Sequence, residues 1–467
     1  MAAFQREEFE RLCLQLREGE VSEVCLSNLR YGTLTEDMFA ELLSASCSLT
    51  KLQFSVPLSN SMLLKLASWI KDGNSLLFLG LEYCDEVVIE FLRAVGHFSV
   101  DTIQFSFLAN FALNNGDEMV VRNFFAKSSL SHVRFAVKEE LGLWGARQHA
   151  SLLECLVIGL AECTTIISLD LKLMNGADLS EETMEMLFQR NQCLQHLSIT
   201  AHDQLVEPFV TDILTALRSS CLHRDISLKN LSPEAARSLY EGLASAPMIK
   251  SLSIENFEYR PADLEQLSEG LAKNSTIRKL TLIAVSGGAH TTLKGLAPVL
   301  SNHGTLQSFQ LFGHDVALSR DVCPIVEMIL ESNPKIIEFG LPIFTANDAK
   351  DLLCLIPHIQ CLQSLQIVDG SFPVPLIDPE ELLDALERNS NLTNYRFLSP
   401  KGDHNCRLQA ILQRNIKLRR RREISKAIPQ LEKNPQLWPL VYSEVSNRDD
   451  WLDASFHFTR ELVMLQR

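Results

Sequence analysis

The sequence predicts an α/β solenoid, a horseshoe with a parallel inner β-sheet and outer helices, closed by a C-terminal helical segment. Three observations lead there. The stretch EGLASAPMIKSLSI, starting at Glu241, returns as EGLAKNSTIRKLTL, starting at Glu269. A period of about 28 residues is that of a supersecondary unit that cannot bury its apolar face alone. Within each copy the end of the short half alternates apolar and polar residues, as in LSI or LTL, which is strand periodicity with one face buried. Between these strands, LTEDMFAELLSASCS, SPEAARSLYEGLASA and DPEELLDALERNSN carry apolar residues at helical spacing. Strand and helix in constant alternation force parallel strands with the helices on one side.

The chain opens on MAAFQREEFERLCLQLREGE, in which Phe4, Phe9, Leu12 and Leu16 fall on one face of a helix expected to cap the first strand over residues 1–20. Residues 21–400 are expected to hold about 14 repeats of about 28 residues. Their strand patterns begin at Val21, Leu49, Leu76, Val100, Leu130, Ile166, Leu194, Ile249, Ile277, Leu306, Ile336, Leu362 and Leu392. A defective copy, HRDISL, has His223 in the first apolar place, and the sheet is expected to run through it. Ser232 with Pro233 and Asp378 with Pro379 read as helix starts, since a proline at the first helical position loses no needed hydrogen bond. Gly159, Gly242 and Gly270 stand seven residues before a strand pattern, where a helix must pack closely or end. The longest interval, from Leu130 to Ile166, holds KEELGLWGARQHAS, expected to project as a loop with Leu143 and Trp144 as candidate partner contacts. Residues 401–467 are expected to form a basic helical cap that buries Leu408, Leu412 and Trp438.

The LxxLxL core in LTKLQF, IISLDL, LQHLSI, IKSLSI, IRKLTL and LQSLQI, with a helix in each repeat, resembles the leucine-rich repeats of ribonuclease-inhibitor type. That resemblance implies the horseshoe fold and no particular activity. The family places Asn or Cys three residues after the last strand leucine; here only Cys84 fits, against His202, Val285, His314 and Phe344, so irregular turns are expected. The tail, from Arg414 and Asn415 to Leu437, Trp438, Pro439, Leu440 and Val441, resembles the tails of leucine-rich-repeat-only proteins of diatoms and related microbes. It implies no chemistry.

The net charge is −15 over 467 residues. It is unevenly spread: residues 1–400 carry 30 Lys and Arg against 50 Asp and Glu, and the remainder 13 against 8. The acidic body repels phosphate backbones and suits a basic protein partner. The run from Lys417 to Arg422 keeps nucleic acid or nuclear import open, beside its reading as the solvated face of a cap helix. No run of 18 apolar residues exists, so no membrane span is expected. The 12 cysteines form no zinc-spaced set and are read as small buried apolar residues, Cys193 and Cys361 among them, with Cys25 as an exception on the inner face. Reduced thiols place the chain in the cytosol or nucleus.

No phosphate loop, dinucleotide fingerprint, nucleophile elbow or HExxH occurs, so neither an enzyme nor a cofactor is expected. Function is sought in the residues that do not repeat. The third and fifth positions of each strand copy face away from the helices. Among them His132, Arg134, Asp170, His196 and Asp225 are, with Leu143 and Trp144, the candidate contacts for a protein partner. The expected function is that of a monomeric, non-enzymatic protein-binding scaffold or inhibitor; the alternative is a GTPase-activating or other regulatory leucine-rich-repeat protein, which stimulated GTP hydrolysis would reveal.

Overall fold

Alternating apolar side chains in every repeat line up from strand to strand, and this alignment organises the computed structural model. It describes residues 2–433 except 28–33, 47–48, 74–75, 98–99, 109–112, 114–115, 139–148, 174–178, 219, 221, 247, 258–259, 285–288, 314–321, 344–345, 360, 370–377 and 399–405. The chain divides into two units, Met1–Arg278 and Lys279–Arg467.

The first unit begins with α1 (Ala2–Glu18) and continues β1 (Glu23–Ser27), α2 (Glu36–Ala45), β2 (Lys51–Ser55), α3 (Asn60–Lys71), β3 (Phe78–Cys84), α4 (Val87–Val95), β4 (Thr102–Leu108) and α5 (Asp117–Lys127). It goes on through β5 (His132–Lys138), α6 (His149–Glu162), β6 (Ser168–Leu173), α7 (Glu181–Arg190), β7 (His196–Leu205), α8 (Glu207–Arg218), β8 (Arg224–Leu231), α9 (Pro233–Leu243), β9 (Ile249–Phe257) and α10 (Pro261–Lys273). Strands β1 to β9 pair in sequence order, each parallel to the next. One apolar column runs Val24, Leu52, Leu79, Ile103, Val133, Leu169, Leu197, Ile226, Leu252; all are buried against the helix layer. Side chains two positions apart share a face, so a second buried column, from Leu26 to Ile254, lies beside it.

The second unit holds β10 (Lys279–Ala284), α11 (Ala289–Asn302), β11 (Ser308–Gly313), α12 (Val322–Ser332), β12 (Glu338–Ile343), α13 (Ala346–Leu355), β13 (Ser364–Asp369), α14 (Pro379–Arg388), β14 (Asn394–Leu398) and α15 (Cys406–Lys433). Its strands are again parallel in sequence order. In both units this is the architecture of an α/β leucine-rich-repeat solenoid.

The helix starts follow their caps. Ser232 Oγ accepts from Ala235 N at 3.1 Å ahead of Pro233, and Asp378 Oδ1 accepts from Glu380 N at 2.8 Å ahead of Pro379. The helical glycines mark close packing rather than helix ends. A methyl at Gly159 would lie 2.7 Å from the Arg122 carbonyl oxygen, and one at Gly270 would collide with that of Tyr240.

A polar seam not anticipated from the sequence joins the repeats at the turns that enter the strands. Asn191 Nδ2 donates to Leu160 O (3.0 Å) and Cys163 O (2.8 Å), while its Oδ1 accepts from Cys193 N (3.1 Å) and Leu194 N (2.9 Å). Asn274 does the same with Leu243 O, Ala246 O, Thr276 N and Ile277 N, and Asn389 with Ile356 O, Ile359 O, Asn391 N and Leu392 N. Asn333 Nδ2 reaches Leu300 O and His303 O. Each side chain ties the C-terminal end of the preceding repeat's helix to the turn that enters its own strand, satisfying carbonyls a helix leaves orphaned. The asparagine therefore stands three residues before the first core position, in RNQCL, KNSTI, SNPKI and RNSNL. This residue lies in the turn that enters the strand, not in the turn that follows it, where the resemblance would put an Asn or Cys.

The repeat at His223 is corrected in the same terms. His223 is exposed, and the residue paired with Ile249 is Arg224, which is 0% exposed. Its position in the next rung of the seam explains the burial. Ser220 stands where an asparagine would, and Arg224 Nη2 instead donates to Phe188 O (3.0 Å) and Asn191 O (3.2 Å), with Nη1 on Leu194 O. The guanidinium carbon lies 4.9 Å from the Phe188 ring centroid. Carbonyls at the end of α7 carry the negative pole of that helix, which offsets the buried charge. As expected, the sheet passes through this repeat: Ile226 and Leu228 are buried, and Asp225 and Ser227 are half-buried on the opposite face.

Three smaller expectations change. In α1 the buried face is Phe9, Cys13 and Leu16, and Leu12 is half-buried; the Phe4 side chain lies outside the described residues. Cys193 is exposed and Cys361 half-buried, because the residue before a first core position points out of the turn; Cys13, Cys84 and Cys163 are buried. In α15, Ile411 and Leu412 are buried and Leu408 only half-buried, while Trp438 lies outside the described residues.

Candidate functional site

The sheet face turned away from the helices carries one short polar row after another. In the first unit the row of His132 continues through Ser168 and His196 to Asp225 on successive strands. The next row, two residues along, runs Gln104, Arg134, Asp170, Ser198. A third row runs Glu82, Ser106, Ala136, Lys172, Thr200. The expected contacts thus share one face, but not one point.

Arg134 and Asp170 are register neighbours, and His196 Nδ1 lies 2.9 Å from Asp225 Oδ2. His132 Nδ1 is 3.5 Å from Asp101 Oδ2. The Asp101 carboxyl is held below its usual range by the Ser131 and Thr102 hydroxyls and by His132 nearby. Leu143 and Trp144 lie outside the described residues.

Arg134 and Asp170 line a hollow of about 380 Å³ together with Glu82, Gln104, Ser106, Ala136, Lys172, Thr200 and His202. The hollow exists because Ser106 and Ala136 are small and lie between longer side chains of the same row. Arg134 and Lys172 are exposed, and neither has an ion-pair partner among the described residues. Glu82 accepts from Gln53 Nε2 at 3.0 Å. Farther along the face the charges are paired: Lys229 with Glu255 at 3.4 Å, and Lys51 with Glu23 at 3.3 Å.

Glu82, Lys172 and Thr200 were not among the expected contacts. The signal for them was present, since in LGLEYC and SLDLKL the alternation continues for one more polar residue.

In the basic run from Lys417, Arg419 and Arg422 are engaged within the chain. Arg419 Nη1 donates to Gln363 Oε1 at 2.5 Å, and Arg422 bonds the Ser390 hydroxyl at 2.9 Å and the Asn391 side chain. Arg407 meets Glu380, Asp384 and Glu387 at 2.6, 2.9 and 3.0 Å, and those carboxylates raise its pKa.

Among the described residues no group of three or more His, Cys, Asp or Glu could hold a metal ion, and no helix is long and apolar enough to cross a membrane. No family model and no curated protein matches the chain. Among solved structures it is similar to the Rad7 and Elc1 complex in yeast, at 16% identity and a TM-score of 0.35, over 72% of this chain and 76% of that chain.

Proposed function

We propose that the chain is a non-enzymatic, monomeric scaffold or inhibitor of the ribonuclease-inhibitor-like kind, which receives a protein partner on the open sheet face of its first unit. The observation that supports this reading most is the hollow over β3 to β7, where Arg134 and Lys172 stand exposed without ion-pair partners while Lys51 and Lys229 on the same face are paired. A folded chain gains nothing from two unpaired cations side by side, whereas a partner can desolvate and pair them. The site's polar groups are spread in rows over five strands, which suits a broad contact better than an acid, a base and a nucleophile converging on one atom. The net charge of −15 favours a partner that is basic overall, and free thiols fit a cytoplasmic place. With Arg419 and Arg422 engaged by the preceding repeats, the basic stretch supports a capping role over nucleic-acid binding.

The test is affinity capture with three baits of equal melting temperature: the wild type, an open-face variant (Arg134→Ala, Asp170→Ala, His196→Ala) and a helix-face variant (Glu234→Ala, Arg237→Ala). Proteins held by the wild type and the helix-face variant but lost from the open-face variant support the reading. An identical set on all three baits overturns it.

A further inference from the structure

The third row of the open face is electrically split, and the split has a length. Glu82, Ser106, Ala136 and Lys172 are successive register partners on β3, β4, β5 and β6. Three strand-to-strand steps of about 4.8 Å put the Glu82 and Lys172 backbones about 14 Å apart. The two residues between them are small, Ser106 covered and Ala136 half-buried, and the hollow they line makes the row a trough with an anionic wall on β3 and a cationic wall on β6. Arg134 stands beside the cationic wall on β5; Asp170, next to both cations, offsets one of them and leaves that end with a net positive charge.

We infer that the trough takes an extended segment of a protein partner, laid across the strands, with an acidic side chain over Arg134 and Lys172 and a basic side chain four residues away over Glu82. An extended chain advances about 3.4 Å per residue and returns a side chain to the same face at every second residue. Four residues therefore span about 14 Å with both charged groups facing the sheet. Two residues fall short of the far wall, and a segment of one charge sign meets a like charge at one end. The Gln104 amide, in the adjoining row on β4, lines the same hollow and can meet backbone groups of the segment. This assignment rests on the proposed docking face and deepens it, by giving the sign and spacing of the charges the partner must present there.

The test uses the full chain and fluorescein-labelled heptapeptides read by fluorescence anisotropy. The probe is Gly-Glu-Ser-Thr-Ser-Lys-Gly; the controls carry Glu at both charged places, Lys at both, or Glu and Lys only two residues apart. The probe is expected to bind the wild type more tightly than every control. Lys172→Glu is expected to weaken the probe by roughly tenfold, since an exposed ion pair and the repulsion that replaces it each contribute up to about a factor of five. The same variant should prefer the Lys/Lys peptide. Overturning results are equal or tighter binding of the Lys/Lys peptide by the wild type, equal binding of the short-spaced control, or no binding of the probe at about 1 mM protein, a limit that corresponds to about −4 kcal/mol. If these occur while the open-face variant still loses captured proteins, the docking face stands and only the charge pattern falls; if capture is also indifferent to that face, both fall.

Discussion

Replacing Asn274 by alanine removes one rung of the polar seam, and the cost follows from its bonds. Asn274 is 7% exposed. Its Nδ2 donates to Leu243 O at 2.9 Å and Ala246 O at 3.3 Å, and its Oδ1 accepts from Thr276 N and Ile277 N at 2.9 Å each. Leu243 O keeps a second donor, Ala246 N at 3.3 Å, so that carbonyl is partly compensated. A net value of about 1 kcal/mol per bond gives a loss of about 4 kcal/mol for Asn274→Ala. The exposed Asn302, bonded only to Pro298 O in its own helix turn, should cost less than about 0.5 kcal/mol when changed to alanine. Urea unfolding with hydrogen exchange at the Ile277 amide reads both the global and the local loss. Asn274→Asp adds a sign test. Its carboxylate keeps the acceptor but faces two carbonyls, which raises its folded-state pKa above the unfolded value of about 3.9. A raised pKa means that the variant is most stable below about pH 4 and loses stability as pH climbs through the folded-state value, a trend the wild-type amide lacks. If Asn274→Ala stays within about 1 kcal/mol of wild type, or Asn274→Asp shows no such decline, the seam is not what joins the repeats.

Gly270→Ala gains about 0.5–1 kcal/mol of helix propensity but forces a methyl onto the Tyr240 carbonyl, so a net loss of about 1–2 kcal/mol is expected, against no change for Gly304→Ala, where a methyl meets open space; thermal melts compare them. Arg224→Ala strips three carbonyls of their donor and should cost about 3–5 kcal/mol, equally at low and at molar salt because the charge is buried, a pattern that denaturation at two ionic strengths checks. In native protein at pH 8, iodoacetamide should modify Cys25, Cys193 and Cys354 and spare Cys13, whose thiol burial pushes up to about 11, along with Cys84 and Cys163, until urea opens the fold; peptide mapping by mass spectrometry reads the sites.

The strand columns were legible because each repeat spells them again. A residue such as Leu169 or Leu252 has the same neighbour one strand away, and the apolar spacing records it. The seam was hidden for the opposite reason. It uses one polar residue per repeat, and several rungs depart from asparagine: Ser220 at the rung that Arg224 supplies, and His303, whose Nδ1 accepts from Leu306 N at 3.1 Å. Arg224 itself could not be placed from its neighbours, since a charged residue at a core position reads as exposed until the carbonyls it meets, some 30 residues upstream, are known. At the candidate site the face of His132, Arg134, Asp170, His196 and Asp225 follows from strand alternation alone. The trough does not. It depends on which long residues flank Ser106 and Ala136 on other strands, and cross-strand register is not written in any one repeat.

The seam also ends in a particular way. In α15, Asn415 is 0% exposed and its Nδ2 donates at 2.8 Å to both Asn389 O and Leu392 O, the acceptors a further repeat would otherwise engage. Repeat arrays with bare ends are prone to stack on one another, because the last interface of one copy is a template for the first of the next. Here the chain answers its own final carbonyls with the same side chain that links its repeats. Arg414 adds a bond to Glu387 O at 2.9 Å, and Arg407 clamps three carboxylates of α14. The last rung of the seam is thus filled by a helix rather than by another strand and helix, and the two carbonyls a further repeat would engage are already taken.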